Sequence, residues 1–229
     1  MNGRVSNGMW KLQDGLLRDS GLLDIGIRHF STTKQQGDMK DGKCLRSALD
    51  KGGIDPGSLV TGVQVHGGSI RVLDVSDRGA TISSVDGFIL NEKGVSAGVF
   101  TADCVPVFIA NRDASLAAVV HAGWKGVAAG IVENAGWYFR EAREVVAGIG
   151  PHICGKCYNV GESFKEVFPG SYKDGRLDLG GEIRSRLLKL GIQENNISAC
   201  EYCTYHNNDL LFSYRGGEKA QRLISVIAL

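Results

Sequence analysis

An α/β fold is predicted for this chain on three observations. First, residues 105–110 (VPVFIA) and 116–120 (LAAVV) are too short for stable helices and rich in β-branched residues. With the polar turn 111–115 between them, they read as the paired buried strands of a hairpin. Second, residues 44–51, 126–142 and 177–190 carry apolar side chains at helical intervals. Third, 229 residues that are 43% hydrophobic, with no internal repeat, low-complexity tract or linker, suit one domain over 1–229 with a large core.

Taken in order, residues 22–30 (LLDIGIRHF) read as a first strand, followed by a polar loop at 31–43. The helix 44–51 stops at Gly52-Gly53. Residues 59–66 (LVTGVQVH) alternate apolar and polar and deliver His66 to the turn at Gly67-Gly68. Further strands are expected at 70–75 and 85–90, ahead of the 105–120 hairpin. The connection AGWK then leads into helix 126–142, and strand 145–149 runs into the glycine-rich turn GIGPHICGKCYNVGE. Helices are expected at 163–168 and 177–190, broken by Pro169-Gly170, and late strands at 197–205 and 223–229.

Composition narrows the function. With 26 basic and 25 acidic residues the net charge is +1, so no pull toward nucleic acid or an acidic membrane surface is expected. No apolar run is long enough to span a bilayer, and residues 1–15 lack the basic-then-apolar order of a secretion signal, which predicts a cytoplasmic protein. Six cysteines are too few for a disulfide scaffold at this length and read as thiols or ligands. The 32 glycines point to many tight turns and close approaches of backbone to ligand.

His66, Cys104 and His121 each fall where a predicted strand meets a turn, and the hairpin puts Cys104 and His121 at the same end of the sheet. Two imidazoles and one thiolate form a zinc ligand set with a vacant fourth position, the arrangement through which a catalytic metal activates water. Alternatively, each residue is packed or solvated without a metal. Asp103, beside Cys104, is a candidate acceptor for an imidazole N–H or a proton carrier. Lys125, Arg215 and Arg222 are candidate phosphate holders, and Trp124 and Tyr158 candidate walls for a planar ligand. No partner is predicted for His29, His152 or His206.

Cys154-Gly-Lys-Cys157 and Cys200-Glu-Tyr-Cys203 raise a competing metal reading. The gap from Cys157 to Cys200 is far longer than the roughly 15–20 residues of a paired C-x-x-C zinc site. The second pair also lies in a predicted strand, where residues three apart face opposite sides. Packed thiols are therefore the expectation there.

The blocks QVHGG (64–68), TADCVPV (101–107), HAGWKG (121–126), GIGPHICGKCYNVGE (148–162) and CTYHNNDLLFSYRGG (203–217) together resemble the laccase-domain family. That family was once called polyphenol oxidase, is related to the bacterial peptidoglycan editing factor, and is now described as purine nucleoside phosphorylase. The resemblance implies an α-β-β-α layered sandwich similar to cysteine-dependent toxin deamidases. It also implies a zinc or copper ion on His66, Cys104 and His121. The implied chemistry is phosphorolysis of adenosine, inosine and methylthioadenosine, with adenosine deamination beside it, so nucleosides and phosphate are the expected partners.

Three departures from the family pattern bear on phosphate. Lys125 and Gly216 stand where the family usually has arginine, and the segment through Thr33 lacks the family's F-T-R-x-G-G block. Lysine keeps the charge but loses the two-pronged grip on phosphate. Competing functions are copper-dependent phenol oxidation, a cell-wall editing or binding protein with a structural metal, and a metal-free cysteine hydrolase using Cys104 and His121.

Overall fold

The structure, a computed structural model, describes residues 9–139 and 144–229 and builds two large sheets packed face to face. The chain opens with β1 (Trp10–Gln13), β2 (Leu16–Asp19), β3 (Arg28–Thr32), β4 (Leu59–Val63) and β5 (Ile70–Leu73). Next come β6 (Thr81–Ser83), β7 (Gly87–Leu90), β8 (Ser96–Thr101), β9 (Val105–Asn111) and β10 (Ala117–Ala122). The last five are β11 (Val145–Ile149), β12 (Tyr172–Lys173), β13 (Arg176–Leu177), β14 (Ile197–Ala199) and β15 (Leu223–Ala228). One sheet runs β1-β2-β3-β15-β8-β4-β6 and the other β14-β11-β9-β10-β7-β5, while β12 and β13 form a separate ribbon.

Alternation along single strands sorts side chains into layers. In β15, Leu223 and Ile227 join a core between the sheets with Val60, Val99, Phe88, Phe108 and Val119. Ile224, Val226 and Ala228 face the other way, onto Ala48 and Leu49 of helix α2 (Gly42–Gly52). On the second sheet Val105, Val107, Ile109, Ala118 and Val120 meet Ile131, Ala135, Ile183 and Leu187. The order helix, sheet, sheet, helix follows from these three cores, as the resemblance implied.

The predicted hairpin is present with its register defined: β9 and β10 are antiparallel, pairing Ala122 with Val105 and His121 with Pro106. Several boundaries differ from expectation. Residues 22–30 are not one strand: Asp19 caps the short helix α1 (Ser20–Asp24) by accepting from Leu22 N, Gly26 turns at φ +83, and β3 follows. Before them, Asp14 and Gly15 turn the unpredicted β1–β2 hairpin, both at positive φ. The stretch 59–66 leaves the strand after Val63, so His66 lies in the turn itself.

The expected helix at 126–142 is interrupted at Gly130, whose φ of +81 separates α3 (Trp124–Ala128) from α4 (Ile131–Gly136). Its residues 140–142 lie outside the described residues. α5 (Phe164–Val167) is a single turn, and α6 (Leu179–Lys189) begins after Asp178, whose carboxylate caps Gly181 N. The stretch 197–205 is a strand only as far as Ala199, and 200–222 carries no helix or strand. That correction matters for Cys200 and Cys203, because the face argument for separating them needed an extended chain.

Candidate functional site

At the end of the sheet where β9 begins and β10 stops, one nitrogen each of His66 and His121 and the sulfur of Cys104 lie within 4.8 Å of one another. The imidazole rings meet edge to face, with centroids 4.7 Å apart. His121 is buried, Cys104 half-buried and His66 exposed, so the group opens to solvent on one side. Gly123 crosses directly beside it: a Cβ there would lie 3.0 Å from His66 Cδ2 and 3.1 Å from Cys104 Sγ. A side chain at position 123 would fill the space on which the three donors converge.

One carboxylate organises both histidines. Asp86, fully buried just ahead of β7, receives His121 Nδ1 at 2.8 Å. It also accepts the backbone N–H groups of Val65, His66 and Gly67 at 2.9–3.1 Å. Those three bonds hold the turn in which His66 takes φ +60, a left-handed conformation uncommon for a side-chain-bearing residue. With Nδ1–H donated to Asp86, Nε2 of His121 is the nitrogen left to serve as ligand or base.

Charge follows from this geometry. Burial disfavours ionised Cys104, but hydrogen bonds from His121 and His66 outweigh it and bring the thiol down to about 6. Burial likewise disfavours protonated His121, and its bonds to Asp86 and Cys104 push it up to about 9. Without a metal, the pair is a thiolate and an imidazolium at neutral pH.

Asp103 does not meet the imidazoles that its position suggested. Neither imidazole bonds to it; the carboxylate that meets an imidazole is Asp86. At φ +88 Asp103 turns away and accepts from Thr204 Oγ1 at 2.6 Å, Ser213 Oγ at 2.7 Å and Arg215 N at 2.7 Å. The residue beside Cys104 thus anchors the segment 203–217. Arg215 lies over the Tyr158 ring, 5.1 Å from its centroid, and its Nη1 donates to Asn159 O. Burial, and after it the charge of Cys104, push Tyr158 up to about 12.

Lys125, exposed in the first turn of α3, has its ammonium 5.6 Å from the Trp124 ring centroid, and Trp124 packs on Phe164 rather than on an open face. Arg222 is tied to the carbonyls of Lys219 and Gln221. Thr33 is buried and donates to Gly15 O, a structural bond. Asp86, Thr204 and Ser213 were missed from sequence. For Asp86 the available signal was an acid set against the buried run GFIL.

The fold and this thiolate–imidazole centre define an α/β protein built to present soft and borderline donors at one sheet end. The chain belongs to the multi-copper polyphenol oxidoreductase laccase family, whose model matches residues 21–229. It is 33% identical over 190 residues to a purine nucleoside phosphorylase of Streptomyces coelicolor, covering 77% of each chain. It is 28% identical over 187 residues to the adenosine deaminase RL5 of an unknown prokaryotic organism, covering 71% of each. The crystal structure of YlmD from Geobacillus stearothermophilus superposes with a TM-score of 0.87 at 26% identity, over 96% of this chain and 98% of that one. Among the described residues no helix is long and apolar enough to cross a membrane.

Proposed function

We propose that the protein is a metal-dependent enzyme of purine nucleosides. It phosphorolyses adenosine, inosine and methylthioadenosine to free base and sugar 1-phosphate, and deaminates adenosine to inosine. The observation that carries this reading is the convergence of His66, Cys104 and His121 on one point beside Gly123, with His121 fixed by Asp86. Two imidazoles and one thiolate suit Zn2+, with Cu2+ as the alternative, and leave a coordination position open. When bound, the ion supplies Lewis acidity at that position.

The chain's own groups do the rest. Asp86 holds His121 with Nε2 toward the site, and Asp103 holds the loop that brings Arg215 over Tyr158. Arg215 and Lys125 supply positive charge for phosphate, and the Tyr158 ring offers a face for a planar base. In phosphorolysis a phosphate oxygen bonds to C1′ as the bond to the purine nitrogen breaks, and the departing base takes a proton. In deamination water adds at C6 and ammonia leaves. We place the enzyme in the cytoplasm, acting on small molecules rather than nucleic acid. Five histidines, two of them in this centre, argue against a multicopper phenol oxidase.

A second reading has one specific observation behind it: Cys104, His121 and Asp86 stand in the order of a nucleophile, base and orienting acid. A metal-free cysteine hydrolase would keep its activity after chelation. Purified protein incubated with adenosine, with and without phosphate, before and after a chelator, separates these readings by chromatography. Adenine formed only with phosphate marks phosphorolysis, and inosine in both marks deamination. Loss of both after chelation, restored by Zn2+, favours the metal-dependent enzyme.

A further inference from the structure

Away from that centre, four more donors come together. The sulfurs of Cys154, Cys157 and Cys203 and a ring nitrogen of His206 all lie within 4.8 Å of one another. Cys157 Sγ is 3.2 Å from His206 Nε2, and Cys154 Sγ is 4.0 Å from His206 Nδ1. A tetrahedral zinc with bonds of about 2.3 Å to sulfur and 2.0–2.1 Å to nitrogen sets its ligand atoms roughly 3.5–3.8 Å apart. The group is already close to that size, and all six cysteines are free thiols.

The backbone supports the same reading. The donors sit in two short turns of the form C-x-x-C and C-x-x-H. The first is closed by Cys157 N and Tyr158 N on Cys154 O, the second by Asn207 N on Cys203 O. A bridge between His152 and Cys203, with Thr204 N donating to His152 O, holds the two turns side by side. Cys154 N points at Cys203 Sγ at 3.3 Å, an N–H to sulfur contact that stabilises a thiolate. Cys200 is not part of the group; it packs in the core between the sheets.

We propose that Cys154, Cys157, Cys203 and His206 form a second metal site, a closed Cys3His site for Zn2+ with a structural role. Four protein donors fill a tetrahedron and leave no position for substrate, unlike the three donors at His66, Cys104 and His121. Each ligating thiol gives its proton to solvent as its bond to the ion forms. The need for such a clamp is visible in the chain: 200–222 has no helix or strand, yet it carries Thr204, Ser213 and Arg215, which hold Asp103 beside Cys104. The other turn leads directly to Tyr158, under Arg215. The ion joins the two loops that frame the first centre.

The test uses full-length protein in which the first centre is disabled by Cys104→Ser and His121→Ala, so that its outcome is independent of the proposed activity. Stripped under reducing conditions and titrated with Zn2+, this variant is expected to retain one zinc per chain by elemental analysis. With Co2+ it should develop thiolate-to-metal charge transfer and tetrahedral ligand-field bands. Adding His206→Asn, at an exposed position, should weaken zinc binding at least tenfold, and His206→Cys should preserve it. Adding Cys157→Ser and Cys203→Ser should abolish it. No zinc in the first variant, a cobalt spectrum without charge transfer, or binding indifferent to His206→Asn overturns the proposal.

Discussion

Asp86 Oδ1 lies 2.8 Å from His121 Nδ1 and accepts the backbone N–H of His66 at 2.9 Å, so one buried atom sets the position of two site histidines. The other oxygen, Oδ2, accepts from Val65 N and Gly67 N. Asparagine keeps one acceptor and turns an NH2 against two N–H donors. Asp86→Asn is therefore expected to lose about 2–4 kcal/mol of stability and to weaken metal binding at the first centre roughly 10–100-fold. Urea denaturation and zinc titration measure the two effects. A variant with wild-type values in both would remove Asp86 from its organising role.

In metal-free protein, Cys104 should react as a thiolate well below the pH of an ordinary cysteine. Burial opposes ionisation, yet His121 and His66 bring the thiol to about 6. The alkylation rate of the Cys104 peptide, followed by mass spectrometry, should rise through a midpoint near pH 6 and level off by pH 7 to 8. In His121→Ala the midpoint should move up toward the ordinary thiol value of about 8.5, slowing alkylation at pH 7 roughly tenfold or more. Equal rates in the two proteins would count against an ion pair between these residues.

Asp103 is bonded to the 203–217 loop, which predicts a loop-holding role. Its carboxylate already accepts two hydroxyls and the Arg215 N–H, and it adopts the left-handed region that asparagine also tolerates. Asp103→Asn should therefore keep kcat within about tenfold with the pH profile unchanged, the larger effect falling on KM for phosphate. Loss of a general acid or base costs typically 10²–10⁴-fold in rate. A drop of that size, together with loss of one limb of the pH profile, would restore the proton-carrying role.

The hairpin and its two site residues were legible because β9 and β10 are buried on both faces, leaving short apolar runs with one polar turn between them. His66 was found for a different reason: the strand pattern ends just before the glycines. Asp86 was not found, since an aspartate before a strand usually caps or turns, and nothing local records that four N–H groups converge on it. The clustering of the second cysteine group escaped the spacing argument because 197–205 looks extended. β14 stops at Ala199, and the turn that follows brings His206, not Cys200, beside Cys154, Cys157 and Cys203, a grouping that spacing within a strand could not reveal.

His29 gives the fold a pH dependence that is separate from the site. Its ring is buried in the core end near Trp10 and Phe108, with Nδ1 facing Ile27 O at 3.1 Å and Nε2 accepting from Asp19 N at 2.8 Å. Protonating Nε2 would set one N–H against another. Burial, which disfavours the cation, lowers the ring from 6.5 to about 4. The unfolded chain thus takes up this proton first as the pH falls. The stabilising contribution is complete above about 6.5, declines below it, and is gone once the folded pKa near 4 is passed. The full swing is about 3 kcal/mol. Urea midpoints compared between wild type and His29→Gln should show the difference shrinking between pH 7 and pH 4.5. A constant difference across that range would mean that the ring titrates in the folded protein near its ordinary value of 6.5.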